Sequence, residues 1–246
     1  MFRAFVARDV KVRYRQTALG IIWVVLQPLA TAGVFSLVFS RIGAAPSEKP
    51  VDQLLFFLAG LIPWTAFASA VQNSALSMEA NAHLITKVYF PRLVIPGAFV
   101  CASILDFCVG YSIFWVLAVL SGADVLLLTV LTPLMLLIQL ASAGALGVAL
   151  GALNAQYRDV KYVVPFLLQI GMLVVVPLPL EKWPGWARSI LSFNPMSAVV
   201  ETYRAALSGE PLGVILMAKG ALVAAAALVL AVGFFRRREA RMVDVL

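Results

Sequence analysis

VLLLTVLTPLMLLIQLASAGALGVALGAL, residues 125–153, runs from end to end without a charged side chain. A bilayer hydrocarbon core about 30 Å thick takes roughly 20 apolar residues of helix, so this stretch is long enough to cross one. Polar residues bound it on both sides: the turn Ser121-Gly122-Ala123-Asp124 before it and the short charged turn NAQYRDVK, residues 154–161, after it. Its portion 141–151 is largely Ala, Ser and Gly. Small residues of that kind let helix backbones approach closely, because packing rather than hydrophobicity drives helix association in lipid.

The rest of the chain repeats the pattern. Of its 246 residues, 62% are hydrophobic and 13% charged, with a mean hydropathy of +0.96. Soluble domains are about 45–50% apolar and about 25% charged, and so few charges cannot cover a water-soluble surface. Apolar segments at 19–39, 54–70, 95–120, 162–177 and 212–235 join 125–153 to make six expected spans, which leaves no room for a soluble catalytic domain. The 162–177 segment is at the short limit for a crossing. The fold class is therefore an all-α polytopic membrane protein with six transmembrane helices.

Between the last two spans, residues 178–210 alternate apolar and polar side chains, among them Trp183, Trp186, Asn194, Glu201 and Arg204. They are too polar for a span and too apolar for a free loop, which fits a re-entrant or interfacial pair of short helices. At the other end of the chain, Phe2, Phe5, Val6, Val10 and Tyr14 fall on one broad helical side and Arg8, Lys11 and Arg15 opposite, with Arg3 and Arg13 interrupting the apolar side. Such a helix lies on the membrane surface, its cations among anionic headgroups. It is not the pattern of a cleavable signal peptide.

The formal charge of +7 sits at helix ends rather than in one stripe, which speaks for topology and lipid contact and against nucleic acid as a partner. With the N-terminus in the cytoplasm, Arg3, Arg8, Lys11, Arg13, Arg15, Lys87, Arg92, Arg158, Lys161, Arg236, Arg237, Arg238 and Arg241 fall inside. Only Arg41, Lys49, Lys182, Arg188, Arg204 and Lys219 fall outside. Lysine and arginine excess marks the cytoplasmic side, so both termini are expected there.

Sites of chemistry are sparse. No Walker A loop, GxSxG or HExxH is present, so the chain is expected not to be an enzyme and any driving energy must come from elsewhere. Cys101 and Cys108 read as small buried hydrophobes, and with a lone His83 no metal site is expected. Asp106 is the one carboxylate well inside a span; it either packs or hydrogen-bonds between helices, or it serves ion coupling. Gln27, Gln139 and Gln169 either hydrogen-bond between helices or touch a hydroxylated substrate. Trp183 and Trp186 either anchor the interface or stack on sugar faces at an exit. The long connection 73–92 reads either as a helix that docks on a partner or as a plain loop.

Five stretches together resemble the permease subunits of type-2 ABC transporters that export O-antigen, teichoic acid and related polysaccharides. They are DVKVRYRQTALGIIWVVLQP (9–28), FLAGLIPWTAF (57–67), NAHLITKVYFPRLVIP (81–96), LNAQYRDVKYVVPFLLQ (153–169) and FNPMSAVVETYRAAL (193–207). The resemblance covers nearly the whole chain. It implies that residues 1–16 form an interface helix beside a lateral entrance, where Arg8, Lys11 and Arg15 meet the anionic head of a lipid-linked substrate. It also implies a coupling helix at 74–84, with Ser77, Met78, Glu79, Asn81 and His83 toward a nucleotide-binding partner, and gate helices at 178–204.

Gln27, Trp183, Trp186, Asn194, Glu201 and Arg204 would then belong to the channel or gate. The implied assembly is a homodimer in the bacterial inner membrane with two copies of a separate ATPase, which would hold ATP and Mg while this chain holds no cofactor. Its cargo would be a lipid-linked, O-antigen-like polysaccharide. Alternatives are another lipid or a drug as cargo, ion-coupled transport through Asp106, or a membrane-embedded glycosyltransferase. Between Gln169 and Trp183 the chain is several residues shorter than is usual in that family.

Overall fold

The computed structural model describes residues 6–7, 20–43, 47, 49–82, 91–157 and 159–242. Among them every regular element is a helix: α1 (Trp23–Arg41), entered through a 3₁₀ turn at Gly20–Ile22; α2 (Pro50–Ala80); α3 (Val94–Leu120); α4 (Val125–Asn154); α5 (Val160–Val175); a second 3₁₀ turn at Leu180–Lys182; α6 (Gly185–Leu191); α7 (Pro195–Ser208); and α8 (Val214–Met242). Five of them, α1 to α4 and α8, are long and apolar enough to cross a membrane. The 16 residues of α5 make about 24 Å at ~1.5 Å per residue, shorter than a full hydrocarbon core.

Local chemistry sets the helix ends. Pro50 opens α2 at a position where its missing N–H has no helical partner to lose. The α3–α4 turn closes on Gly122 at φ +81°. There the Ala123 amide donates to the Ala118 carbonyl at 3.1 Å and the Gly122 amide to that of Val119 at 3.0 Å, the paired bonds of a Schellman stop. Asp124 then starts α4 by accepting from the Leu126 amide at 2.9 Å.

The bundle is built around α2, which packs against α1, α3, α4, α5 and α7, while α8 lies against α4 and α7. In the most apolar stretch of α2, 72% of the residues are buried, against 11% for α1. Close contacts are made where small residues face each other. A Cβ added at Gly147 of α4 would lie 2.6 Å from the Ser74 side chain of α2, and one at Gly220 of α8 would lie 2.7 Å from Ala198 of α7. The small-residue portion of α4 is thus a packing seam, as its composition implies.

The structure shifts the expected boundaries in one place that matters. α2 does not stop near residue 70: it continues without interruption to Ala80. Residues 74–80 of the expected coupling helix are therefore the last turns of a spanning helix, not a separate element. The reason is that Gln72, Asn73, Ser74 and Glu79 are polar without being helix breakers, and the first interruption comes at Asn81. Hydropathy marks where lipid ends, which is not where the helix ends.

Candidate functional site

α5 ends at Val175, and the chain then turns through Val176-Pro177-Leu178-Pro179-Leu180. The last carbonyls of a helix lack intrahelical donors, and neither Pro177 nor Pro179 has an N–H to offer. α7 supplies what is missing. Asn194 caps its start, accepting from the Met196 amide at 3.0 Å, and two turns later it presents Glu201 and Arg204. The Arg204 guanidinium donates through Nη2 to the Val176 carbonyl and through Nη1 to Glu201 Oε1 at 3.1 Å. The same Oε1 accepts the Leu180 amide at 3.1 Å. One ion pair therefore takes up a free acceptor and a free donor of the turn.

Arg204 is the enclosed partner, while Glu201 is half-buried. Arg204 is 5% exposed, and its guanidinium lies 3.9 Å over the ring of Phe56 on α2, a favourable cation–π geometry. Gly60, one turn further along α2, leaves the room: a Cβ there would come within 3.3 Å of Arg204 Nη2 and 3.0 Å of Val176 Cγ1. Arg204 Nε, though buried, has no hydrogen-bond partner. Glu201 and Arg204 thus sit in a joint between α2, α5 and α7, with Arg204 inside the protomer rather than on an open channel wall.

Of the other expected gate residues, Trp186 on α6 is 73% exposed and Trp183 half-buried. Trp186, Ile190 and Phe193 are all exposed and recur at helical spacing, so α6 presents an apolar outer edge. Gln27 lies exposed on α1, next to the buried Pro28. The structure therefore does not gather the six expected gate residues into one lining. Glu201 and Arg204 are joined directly, Asn194 is the cap that starts their helix, and Trp183, Trp186 and Gln27 stand apart.

At the C-terminal end of α2, Ser77, Met78 and Asn81 are buried, whereas Glu79 is exposed. Ser74 donates to the Pro96 carbonyl of α3 at 3.2 Å, Ser77 to the Ser74 carbonyl at 2.6 Å, and Asn81 to the Ser77 carbonyl at 2.8 Å. Three of the expected coupling side chains are thus turned into the protein, which leaves Glu79 as the described one that faces outward. Asn154 of α4 donates to Glu79 at 3.1 Å, and nearby Arg238 of α8 donates to Gln156 at 2.6 Å. His83, Arg8, Lys11 and Arg15 lie outside the described residues.

Two contacts were not anticipated. Gln53, 4% exposed, accepts from Ser36 at 2.9 Å and Ser40 at 2.7 Å and donates to the Ser47 carbonyl at 2.5 Å, tying α1 to the start of α2. The signal was present: Ser36 and Ser40 are one helical turn apart on a span whose neighbour begins with a glutamine. Trp64 of α2 is buried and packed at Gly171 of α5, where a Cβ would lie 2.8 Å from its ring. Nothing in the spacing of Gly171 announces that contact.

Comparison with known proteins gives a consistent result. A family described as "ABC-2 type transporter" matches residues 1–208. An O-antigen export system permease protein, RfbA, of Myxococcus xanthus is 30% identical over 206 residues, covering 82% of this chain and 78% of that protein. The RfbA of Klebsiella pneumoniae is 29% identical over 200 residues, covering 80% and 76%. A polysialic acid transport protein, KpsM, of Escherichia coli is 25% identical over 216 residues, covering 83% and 80%.

Proposed function

The chain belongs to the ABC-2 type transporter family, and from that premise we propose that it is the membrane-spanning half of an ATP-driven exporter of lipid-linked polysaccharide. The observation that carries the reading furthest is the unevenness of its burial. α5 exposes Tyr162, Val163, Phe166, Leu167, Ile170 and Leu173 and buries only Val164 and Val175, and α1 is more open still. Two copies that face each other across α1 and α5 would cover these surfaces and leave a path between them. The α5 helix would count as the sixth crossing, its shortness offset by the α6–α7 segment that returns into the membrane behind it.

In this reading the protein lies in the bacterial inner membrane with both termini in the cytoplasm, as the lysine and arginine excess supports. The cations Arg8, Lys11 and Arg15 would draw in the anionic head of the carrier lipid. Two copies of a separate ATPase, holding ATP and Mg, would dock at the end of α2. Among the described residues there, Glu79 is the charged side chain that faces outward. The buried Ser77, Met78 and Asn81 would stiffen the lever that carries the ATPase motion into α2, a rigid-body transmission. Ion coupling through Asp106 gains nothing from its placement, buried on α3 and engaged within the protein.

The test is co-purification with a candidate partner ATPase expressed alongside it. A particle of two membrane and two ATPase subunits that splits ATP and moves a lipid-linked glycan across vesicles is the expected result. A monomer that recruits no ATPase would end the reading.

A further inference from the structure

We propose that Glu201 and Arg204 are positioning residues: a part-buried clasp that sets where the C-terminal end of α5 stands, without touching the cargo. An ion pair whose cation is buried is a poor way to gain stability, since desolvation consumes most of what attraction returns. Here both partners are committed to backbone. Arg204 Nη2 serves the Val176 carbonyl and Glu201 Oε1 the Leu180 amide, the two ends of a turn that contains Pro177 and Pro179 and cannot satisfy itself. A cation at that point also faces the negative end of the α5 dipole.

The clasp matters because α5 meets the bundle along one edge only. Val164 and Val175 are its buried side chains, Val160, Leu168 and Met172 pack half-buried against the same core, and Gly171 comes close to Trp64 of α2. Phe56 under the guanidinium and Gly60 beside it fix the clasp to α2, the most enclosed helix of the bundle. α5 is thus held at its C-terminal end, while the long exposed face from Tyr162 to Leu173 is free of the protomer. The cargo path stands on the proposed function; the clasp itself does not.

The experiment is hydrogen–deuterium exchange on the full chain in lipid nanodiscs, unaltered and as E201A, E201Q, R204M and E201Q/R204M. The double variant leaves no uncompensated charge, so it guards against simple misfolding. Loss of a charge-assisted bond should speed exchange of the Val176–Lys182 amides about tenfold or more in E201A and R204M. Exchange elsewhere in α2, α3 and α4 should stay as it was. E201Q, which keeps an acceptor for the Leu180 amide, should fall between.

Unchanged exchange at 176–182, or an acceleration spread evenly over the chain, would overturn the proposal. A second arm measures glycan moved per ATP split in the reconstituted exporter, where R204M should lower the ratio about fivefold or more and R204K should recover part of it. An unaltered ratio in R204M would also overturn the positioning role. If the unaltered protein moves no glycan, the proposed function fails, and the exchange measurement still decides the clasp.

Discussion

α2 and α5 are both apolar helices in the same bundle, yet they are held in opposite ways. α2 is enclosed by five neighbours, and Leu55, Phe57, Leu58, Leu61, Trp64 and Phe67 are all buried along it. α5 touches the bundle along one narrow edge and is tied at its end by two side chains from α7. In water such an exposed face would be a defect. In lipid it costs nothing, because acyl chains are as apolar as the side chains they meet. The difference between the two helices is therefore a difference in packing and in freedom to move, not in hydrophobicity.

That comparison can be broken from the α2 side. Trp64→Ala empties a buried site between α2 and α5 and should cost about 3–5 kcal/mol, read as a lowered unfolding midpoint in a mild detergent; a change near zero would mean that α2 is not the hub. Gly147→Val drives a branched side chain into Ser74, and overpacking of this kind should cost about 1–3 kcal/mol in the same assay. Gln53→Ala removes the link between α1 and α2 and leaves Ser36 and Ser40 without their shared acceptor. It should cost about 0.6–1.7 kcal/mol, the span measured for polar contacts between membrane helices, and should expose residues 36–40 to faster exchange.

The smallest effect sharpens the comparison from the other side. Phe166→Ala and Leu167→Ala on α5 should change the protomer's stability by no more than about 0.5 kcal/mol while weakening association of two copies. Cross-linking gives the direct check. In a background of Cys101→Ser and Cys108→Ser, needed because Cys108 is exposed, Phe166→Cys should yield a disulfide-linked dimer in native membranes and Phe57→Cys should not. Equal cross-linking at the two positions would remove the distinction between them.

The helix inventory was readable because it rests on composition. Helices lie over the expected apolar segments, at 54–70 as much as at 125–153, and five of them are long and apolar enough to cross a membrane, since both properties follow from runs of apolar residues. The alternating segment 178–210 holds the second 3₁₀ turn, α6 and α7. What failed was the reading of sides. Ser77, Met78 and Asn81 were assigned outward and are buried, and Arg204 was placed at a channel and is shut inside a joint.

The sequence by itself determined the solvent and the helical class, because a backbone in hydrocarbon must satisfy its own hydrogen bonds, and runs of about 20 apolar residues do so as helices. It also carried the family, through motifs spread along most of the chain. Only the tertiary structure decided which face of each helix meets protein. In a soluble protein the polar face of a helix marks the outside, but in lipid the inner and outer faces are both apolar, and that mark is missing. The Glu201–Arg204 joint depends on Phe56, Gly60, Val176 and Leu180, which come together from three segments far apart in the chain. Packing alone brings them into contact.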